Sequence, residues 1–191
     1  MTAPKLVLVF SGKRKSGKDH LTDVLLRSAP ESSAVIIRLS GPLKEAYAKE
    51  HGLDFSRLLD ASEYKEKYRS DMVAWGEKQR QINPAFFCEL AVEKYQADKV
   101  PIWIVSDARR PTDIEYFVKK FPGRTALCRI VADDSVRRQR GWEYVSGVDD
   151  QETECALDEY ISWDIILNND GEMPLEKLLK PCLDLIRQAV E

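Results

Sequence analysis

One short string, Gly12-Lys13-Arg14-Lys15-Ser16-Gly17-Lys18, has the make-up of a device for holding phosphate. Its glycines remove the Cβ atoms that would keep backbone N–H groups away from a polyphosphate, and Lys18 supplies a cation where β- and γ-phosphates would lie. The string fits the pattern GxxxxGK, which works when it leaves a strand and opens a helix, so that the positive end of the helix adds to the attraction. An apolar run, Leu6 to Phe10, comes just before it and an amphipathic stretch follows. The residue after Lys18 is Asp19, where the pattern asks for Ser or Thr. A carboxylate this close to a triphosphate repels it unless a divalent cation lies between, so Asp19 is a candidate Mg²⁺ ligand, directly or through water; the alternative is a first-turn carboxylate serving the helix N-terminus.

Further charges sit where the same chemistry could use them. Ser106-Asp107-Ala108-Arg109-Arg110 ends an apolar run. Asp107 there is placed to order Mg²⁺ through water, or to hold Arg109 and Arg110 in a fixed fork, and the two guanidinium groups suit a bidentate grip on phosphate. Arg137, Arg138 and Arg140 crowd the stretch Asp133 to Trp142, with Arg129 on the apolar run before it. Such a cluster reads as an arginine lid closing on a transferring phosphate, the plain alternative being a solvated face. Lys44, Lys65, Arg69 and Arg80 would face the same cleft if their helices cover it. Asn168-Asn169-Asp170-Gly171, beyond the last apolar run, is placed either to contact a nucleotide base or to make a simple turn.

These groups need a frame, and the hydrophobic pattern supplies one. Short, nearly continuous apolar segments, Lys5 to Phe10, Ala34 to Leu39, Pro101 to Ser106, Thr125 to Val131 and Asp164 to Asn168, alternate with amphipathic ones. The pattern predicts an α/β fold with five parallel strands covered on both faces. Helices are predicted over Lys18 to Ser28, Pro42 to His51, Tyr64 to Gln81, Pro84 to Tyr95, Thr112 to Lys120 and Pro174 to Ala189, with Pro42 and Pro84 in first turns. Gly41 to Tyr95, helical and without a strand, and Asp133 to Glu159, charged and irregular, read as insertions over one core. Ligands of open α/β sheets gather beyond the carboxyl ends of the strands, where every motif above falls.

The chain has 191 residues, 32% of them charged, and a formal net charge of −3. This suits a single folded unit spanning 1–191 and disfavours a bulk nucleic-acid binder. The longest apolar run, Leu6 to Phe10, is far short of the roughly 20 residues that span a bilayer. Neither a leader nor a peroxisomal tripeptide is visible, so the cytosol is the expected location and no membrane partner is expected. Cys88, Cys128, Cys155 and Cys182 are widely spaced and joined by only two histidines, which argues for reduced, mostly buried thiols rather than zinc.

The strings GKRKSGKD, RLSGPLKEAYAKEHGL, the stretch from Tyr64-Lys65 to WGEK, VSDARR, RQRGW and GVDD together resemble the animal phosphomevalonate kinase family. That family is a small member of the P-loop, nucleoside-monophosphate-kinase-like group. The resemblance implies a three-layer fold and transfer of the ATP γ-phosphoryl group to (R)-5-phosphomevalonate, giving the diphosphate on the route to isoprenoids and sterols. It implies ATP and Mg²⁺ as cofactors, with no macromolecular partner and a monomeric state. Gly12, Lys13, Arg14, Lys15, Ser16, Gly17, Lys18, Asp19, Arg137, Arg140, Asn169 and Asp170 would serve the nucleotide, and Asp19 and Asp107 the metal. Lys44, Lys65, Arg69, Arg80, Arg109, Arg110 and Arg129 would serve the acceptor, and Lys18, Arg14, Arg110 and Arg140 the transfer itself. The region 41–95 would cover the acceptor and 133–159 form the lid. Asp170, Leu175 and Leu179 depart from the family's pattern at positions where its nucleotide contacts are expected. The competing assignments are a nucleoside monophosphate kinase and a guanine-nucleotide switch, and the latter lacks any NKxD motif after a strand.

Overall fold

The computed structural model describes residues 3–59 and 63–191. Five strands, β1 (Leu6–Ser11), β2 (Ala34–Ile37), β3 (Ile102–Val105), β4 (Thr125–Val131) and β5 (Ile165–Asn168), form one all-parallel sheet in the order β2-β3-β1-β4-β5. The central strand β1 is buried along its whole length. Its side chains alternate between two cores, as the two-residue period of a strand requires. Leu6, Leu8 and Phe10 pack with Leu21 and Leu25 of α1 (Lys18–Ser28) and with Leu179 and Cys182 from near the C-terminus, whereas Val7 and Val9 face Cys88, Ala91, Ile114 and Phe117. A strand covered on both faces must be apolar throughout, which is why the run Leu6 to Phe10 is unbroken.

After β2 the chain makes α2 (Ser40–His51), α3 (Phe55–Leu59), α4 (Glu63–Ile82) and α5 (Phe86–Lys94) before β3, as the strandless insertion requires. A satellite core of Tyr47, Ala48, Leu58 and Met72 holds α2 to α4 together. Helix α6 (Pro111–Lys120) follows β3, the short helices α7 (Asp134–Gln139) and α8 (Glu152–Cys155) follow β4, and α9 (Leu175–Val190) closes the described chain. Two local expectations are corrected. The second strand ends at Ile37, because Leu39 and Ser40 give their backbone N–H groups to the carboxylate of Asp107 instead of to a neighbouring strand. Pro84 lies in a turn before α5 rather than in its first turn, since the Asn83 carbonyl and side-chain oxygens have already taken the N–H groups of Phe86 and Ala85.

Cys88, Cys128 and Cys182 are buried and Cys155 half-buried, all four free. No described helix is long and apolar enough to cross a membrane. The sheet brings the ends of β1, β3, β4 and β5 to one edge, and the functional residues collect there.

Candidate functional site

The loop after β1 is shaped by close packing. A Cβ at Gly12 would lie 2.5 Å from the carbonyl oxygen of Ile130 on β4 and 2.9 Å from Ser16 Oγ. Gly17, which caps α1, has φ 97°, and a Cβ there would fall 2.3 Å from Asn169 Nδ2. Both glycines are therefore demanded by the fold around the loop as well as by access for phosphate. Lys18 turns its ammonium onto the loop, donating to the carbonyl oxygens of Gly12 and of Lys13, the latter at 3.1 Å. Burial, and then the neighbouring Arg109, lower its pKa to about 7 against the opposing pull of Asp19 and Asp107. Ser16 Oγ is buried without a hydrogen-bond partner among the described residues. Lys13 pairs with Asp158, and Arg14 donates to Asp149 Oδ2 at 2.9 Å.

Two cavities open from this loop. One, of about 730 Å³, is lined by Lys15, Lys18, Asp19, Arg38 and Gly41 among others. The second, of about 260 Å³, lies between α2, α4 and the β3–α6 turn and is lined by Lys65, Arg69, Arg80 and Arg110, with Leu43, Met72, Val73 and Gly76 as apolar wall. Arg14, Lys44, Arg109 and Asp107 line both. Seven cations face four carboxylates around the smaller cavity, so its excess charge suits an anion carrying more than one negative group. Burial, and then Lys65, depress the pKa of Lys44. Arg69 is held by both carboxylate oxygens of Glu66 at 2.6 Å. Arg110 is 4% exposed. Its Nε and one terminal nitrogen donate to Glu77 Oε1 at 3.1 and 2.6 Å, and its other terminal nitrogen is buried with no hydrogen-bond partner among the described residues.

The fork expected from Asp107 is replaced by other carboxylates. Asp107 caps the start of α2, accepting from Leu39 N at 2.6 Å and Ser40 N at 3.1 Å, while Arg109 is gripped by Glu154 and Arg110 by Glu77. Among the described residues no three His, Cys, Asp or Glu side chains gather to hold a metal. Asp19 and Asp107 both line the cavity that Lys18 lines, and their carboxylate oxygens are the ligand type that a divalent cation such as Mg²⁺ takes.

The stretch Asp133 to Trp142 is tied down rather than splayed by its own charges. Arg137, 6% exposed, stacks at 3.8 Å on the Trp142 ring and donates to the Arg14 carbonyl at 2.9 Å. It is a brace for the loop and does not line either cavity. Arg140 donates to the carbonyl oxygens of Ser16 at 3.2 Å and Asn169 at 2.6 Å, and borders a small pocket with Lys15, Lys18 and Asp19. Arg138 is exposed. Asn169 donates to the Ser16 carbonyl at 2.8 Å, and Asp170 accepts from Asp133 N, so the segment after β5 buttresses the phosphate loop. Arg129 also stands apart from the acceptor-side cavity, paired with Ser11 Oγ at 3.0 Å and Asp158 at 3.1 Å behind the loop.

Four carboxylates that sequence reasoning passed over, Glu77, Asp113, Asp149 and Glu154, prove to hold these cations. Asp149 binds Arg14, Trp142 Nε1 and Val145 N together. Burial works against its ionisation, but those hydrogen bonds and the charges of Arg14 and Arg137 hold its pKa below the usual carboxylate range. The available signals were the GVDD and WGEK strings, which place acids within a basic cluster.

Residues 10–123 match a family model described as phosphomevalonate kinase. A Drosophila melanogaster protein of that name is 38% identical over 177 residues, which is 91% of this chain and 93% of its own. Among solved structures, a gluconokinase from Sinorhizobium meliloti 1021 aligns over 98% of this chain and 94% of its own with 12% identity and a TM-score of 0.53. A Thermus thermophilus protein aligns over 98% of both chains with 16% identity and a TM-score of 0.54. At these identities the two structures speak for the fold alone.

Proposed function

The chain belongs to the phosphomevalonate kinase family, and from that premise we infer that it transfers phosphate to phosphomevalonate across the junction of its two cavities. As a kinase it draws that phosphate from ATP. The observation carrying the assignment of sites is the shared wall: Arg14, Lys44 and Arg109 line both the cavity that holds Lys18 and the one that holds Arg80 and Arg110. ATP lies along the phosphate loop, with its phosphates on the backbone from Gly12 to Lys18 and Arg140 beside them. Phosphomevalonate lies in the smaller cavity, its phosphate toward Lys44 and Arg109 and its remaining charge toward Arg80, Arg110, Lys65 and Arg69.

Both substrates are anions, so the first task of the protein is to bring them within reach despite their repulsion. The acceptor oxygen belongs to a phosphate already ionised near neutral pH and needs little help from a base. Lys18 leaves the carbonyls of Gly12 and Lys13 to meet the charge that develops between β- and γ-phosphates, while Arg14 and Arg110 neutralise the transferring group and the acceptor. Asp19 and Asp107 are the residues that would hold Mg²⁺, which would supply positive charge against the donor phosphates. Residues 1–191 act as one kinase domain, with 41–95 over the acceptor and 133–159 as the lid, in a monomeric cytosolic enzyme.

ADP release measured with phosphomevalonate, mevalonate and nucleoside monophosphates tests the reading. Turnover is expected with phosphomevalonate only, and Arg109→Ala or Arg110→Ala should raise its KM about tenfold or more while ATP KM stays within about twofold. A rise confined to ATP KM would place these arginines at the donor instead.

A further inference from the structure

Asp113 is 1% exposed, yet neither the phosphate-loop pattern nor the cluster of basic residues requires it. Its Oδ2 accepts from the backbone N–H groups of Arg109 at 2.9 Å and Arg110 at 3.0 Å, and its Oδ1 accepts from Arg80 of α4 at 2.6 Å. The arrangement is reciprocated. Glu77, three residues before Arg80 on the same helix, reaches the opposite way to hold Arg110 of the β3–α6 turn. Each side of the acceptor cavity thus lends an arginine to a carboxylate of the other.

A buried carboxylate is costly unless its oxygens are satisfied, and helix capping explains only the Oδ2 half of this one. The Oδ1 half is directed at a cation that lines the cavity. Arg80 is further confined by the Phe87 ring, 5.0 Å from its guanidinium carbon. Arg110, clasped on one edge, keeps an unpartnered buried nitrogen for an anion. Held in this way, the two cations are preorganised, and the acceptor does not have to immobilise them on binding.

We propose that Asp113 and Glu77 form a crossed clasp that sets the spacing of Arg80 and Arg110, and so act as positioning residues for the acceptor without touching it. The inference rests on the acceptor occupying the smaller cavity. It goes beyond that assignment because it gives two carboxylates of the cavity wall, whose own charge repels an anion, a part in binding it.

Asp113→Asn separates the two halves: the amide oxygen can keep both backbone bonds, which turns the amide nitrogen toward Arg80 and sets donor against donor. The expected result is a rise of about tenfold or more in phosphomevalonate KM, with ATP KM changed by less than about twofold. On an Arg80→Met background, the added effect should fall below about twofold, because a residue acting only through Arg80 has nothing left to position. A merely structural role would instead move both KM values, or multiply with Arg80→Met, and either result overturns the proposal. Should Asp113→Asn not fold, Glu77→Gln, altering a group 35% exposed, carries the same KM comparison with Arg110→Ala as its partner, and an unchanged phosphomevalonate KM there overturns the clasp. Arg80→Met alone checks the cavity assignment: if it leaves phosphomevalonate KM unchanged, that assignment fails, whereas a raised KM beside a silent Asp113→Asn faults the clasp only.

Discussion

Lys18 shows how one side chain can be poised by what surrounds it. Its ammonium lies half-buried against two loop carbonyls, and the cost of burial, then the nearby Arg109, bring its pKa to about 7. An unfolded lysine titrates near 10.4, so between the two values the unfolded chain binds more protons, and this group makes the unliganded protein more stable as pH rises through that window. A bound polyphosphate reverses the balance by favouring the charged form. Nucleotide binding at pH 8 should therefore take up close to one proton, with much less uptake at pH 6, as read by calorimetry in buffers of different ionisation enthalpy; equal uptake at both would refute the assignment. Lys18→Met should abolish the uptake and lower kcat about 10²-fold or more in a folded protein if, as proposed, the lysine meets charge that exists only during transfer. Asp19→Ser restores a neutral ligand and removes the carboxylate. It should retain some activity but shift the Mg²⁺ titration, and an unaltered titration would leave Asp19 as a helix-terminal charge.

Among the elements, the segment from Asp133 to Trp142 changes most between what its composition suggests and what its contacts show. Three arginines in four positions suggest mutual repulsion, but Arg137 is spent on Trp142 and the Arg14 carbonyl, and Arg140 ties α7 to both the phosphate loop and the segment after β5. Asp149 adds a second tie, from Arg14 to the turn that carries Trp142 and Val145. The segment is thus attached to the phosphate loop, and on the proposed reading a nucleotide on that loop would be felt by it directly. Arg140→Ala should lower kcat with modest loss of ATP affinity. Backbone hydrogen exchange over residues 133–142 should slow when ATP and acceptor are both bound, and equal protection with and without them would show a fixed wall.

Taken whole, the molecule carries a net charge of −3 yet concentrates cations around one cavity. Seven basic residues against four carboxylates leave that cavity with an excess of positive charge, so phosphomevalonate alone, without nucleotide, should stabilise the protein. At a hundredfold excess over its Kd, the gain is about 2.7 kcal/mol, or a rise in Tm of roughly 5–10 °C, and mevalonate at the same concentration should give less. A thermal melt with no shift would remove the acceptor from this cavity. Much of this architecture was legible in advance: the strands announce themselves by unbroken apolar runs, and the phosphate loop by the spacing of its glycines and lysine right after the first of them. Those are local or periodic properties, carried by neighbours in the chain. What only the tertiary structure decided is which acid holds which base. Asp107 meets the start of α2 from 68 residues away, Asp113 meets Arg80 across 33, and Arg129 meets Asp158 across 29. A charge in a sequence attracts every opposite charge equally, and only the packing of distant helices and strands chooses its partner.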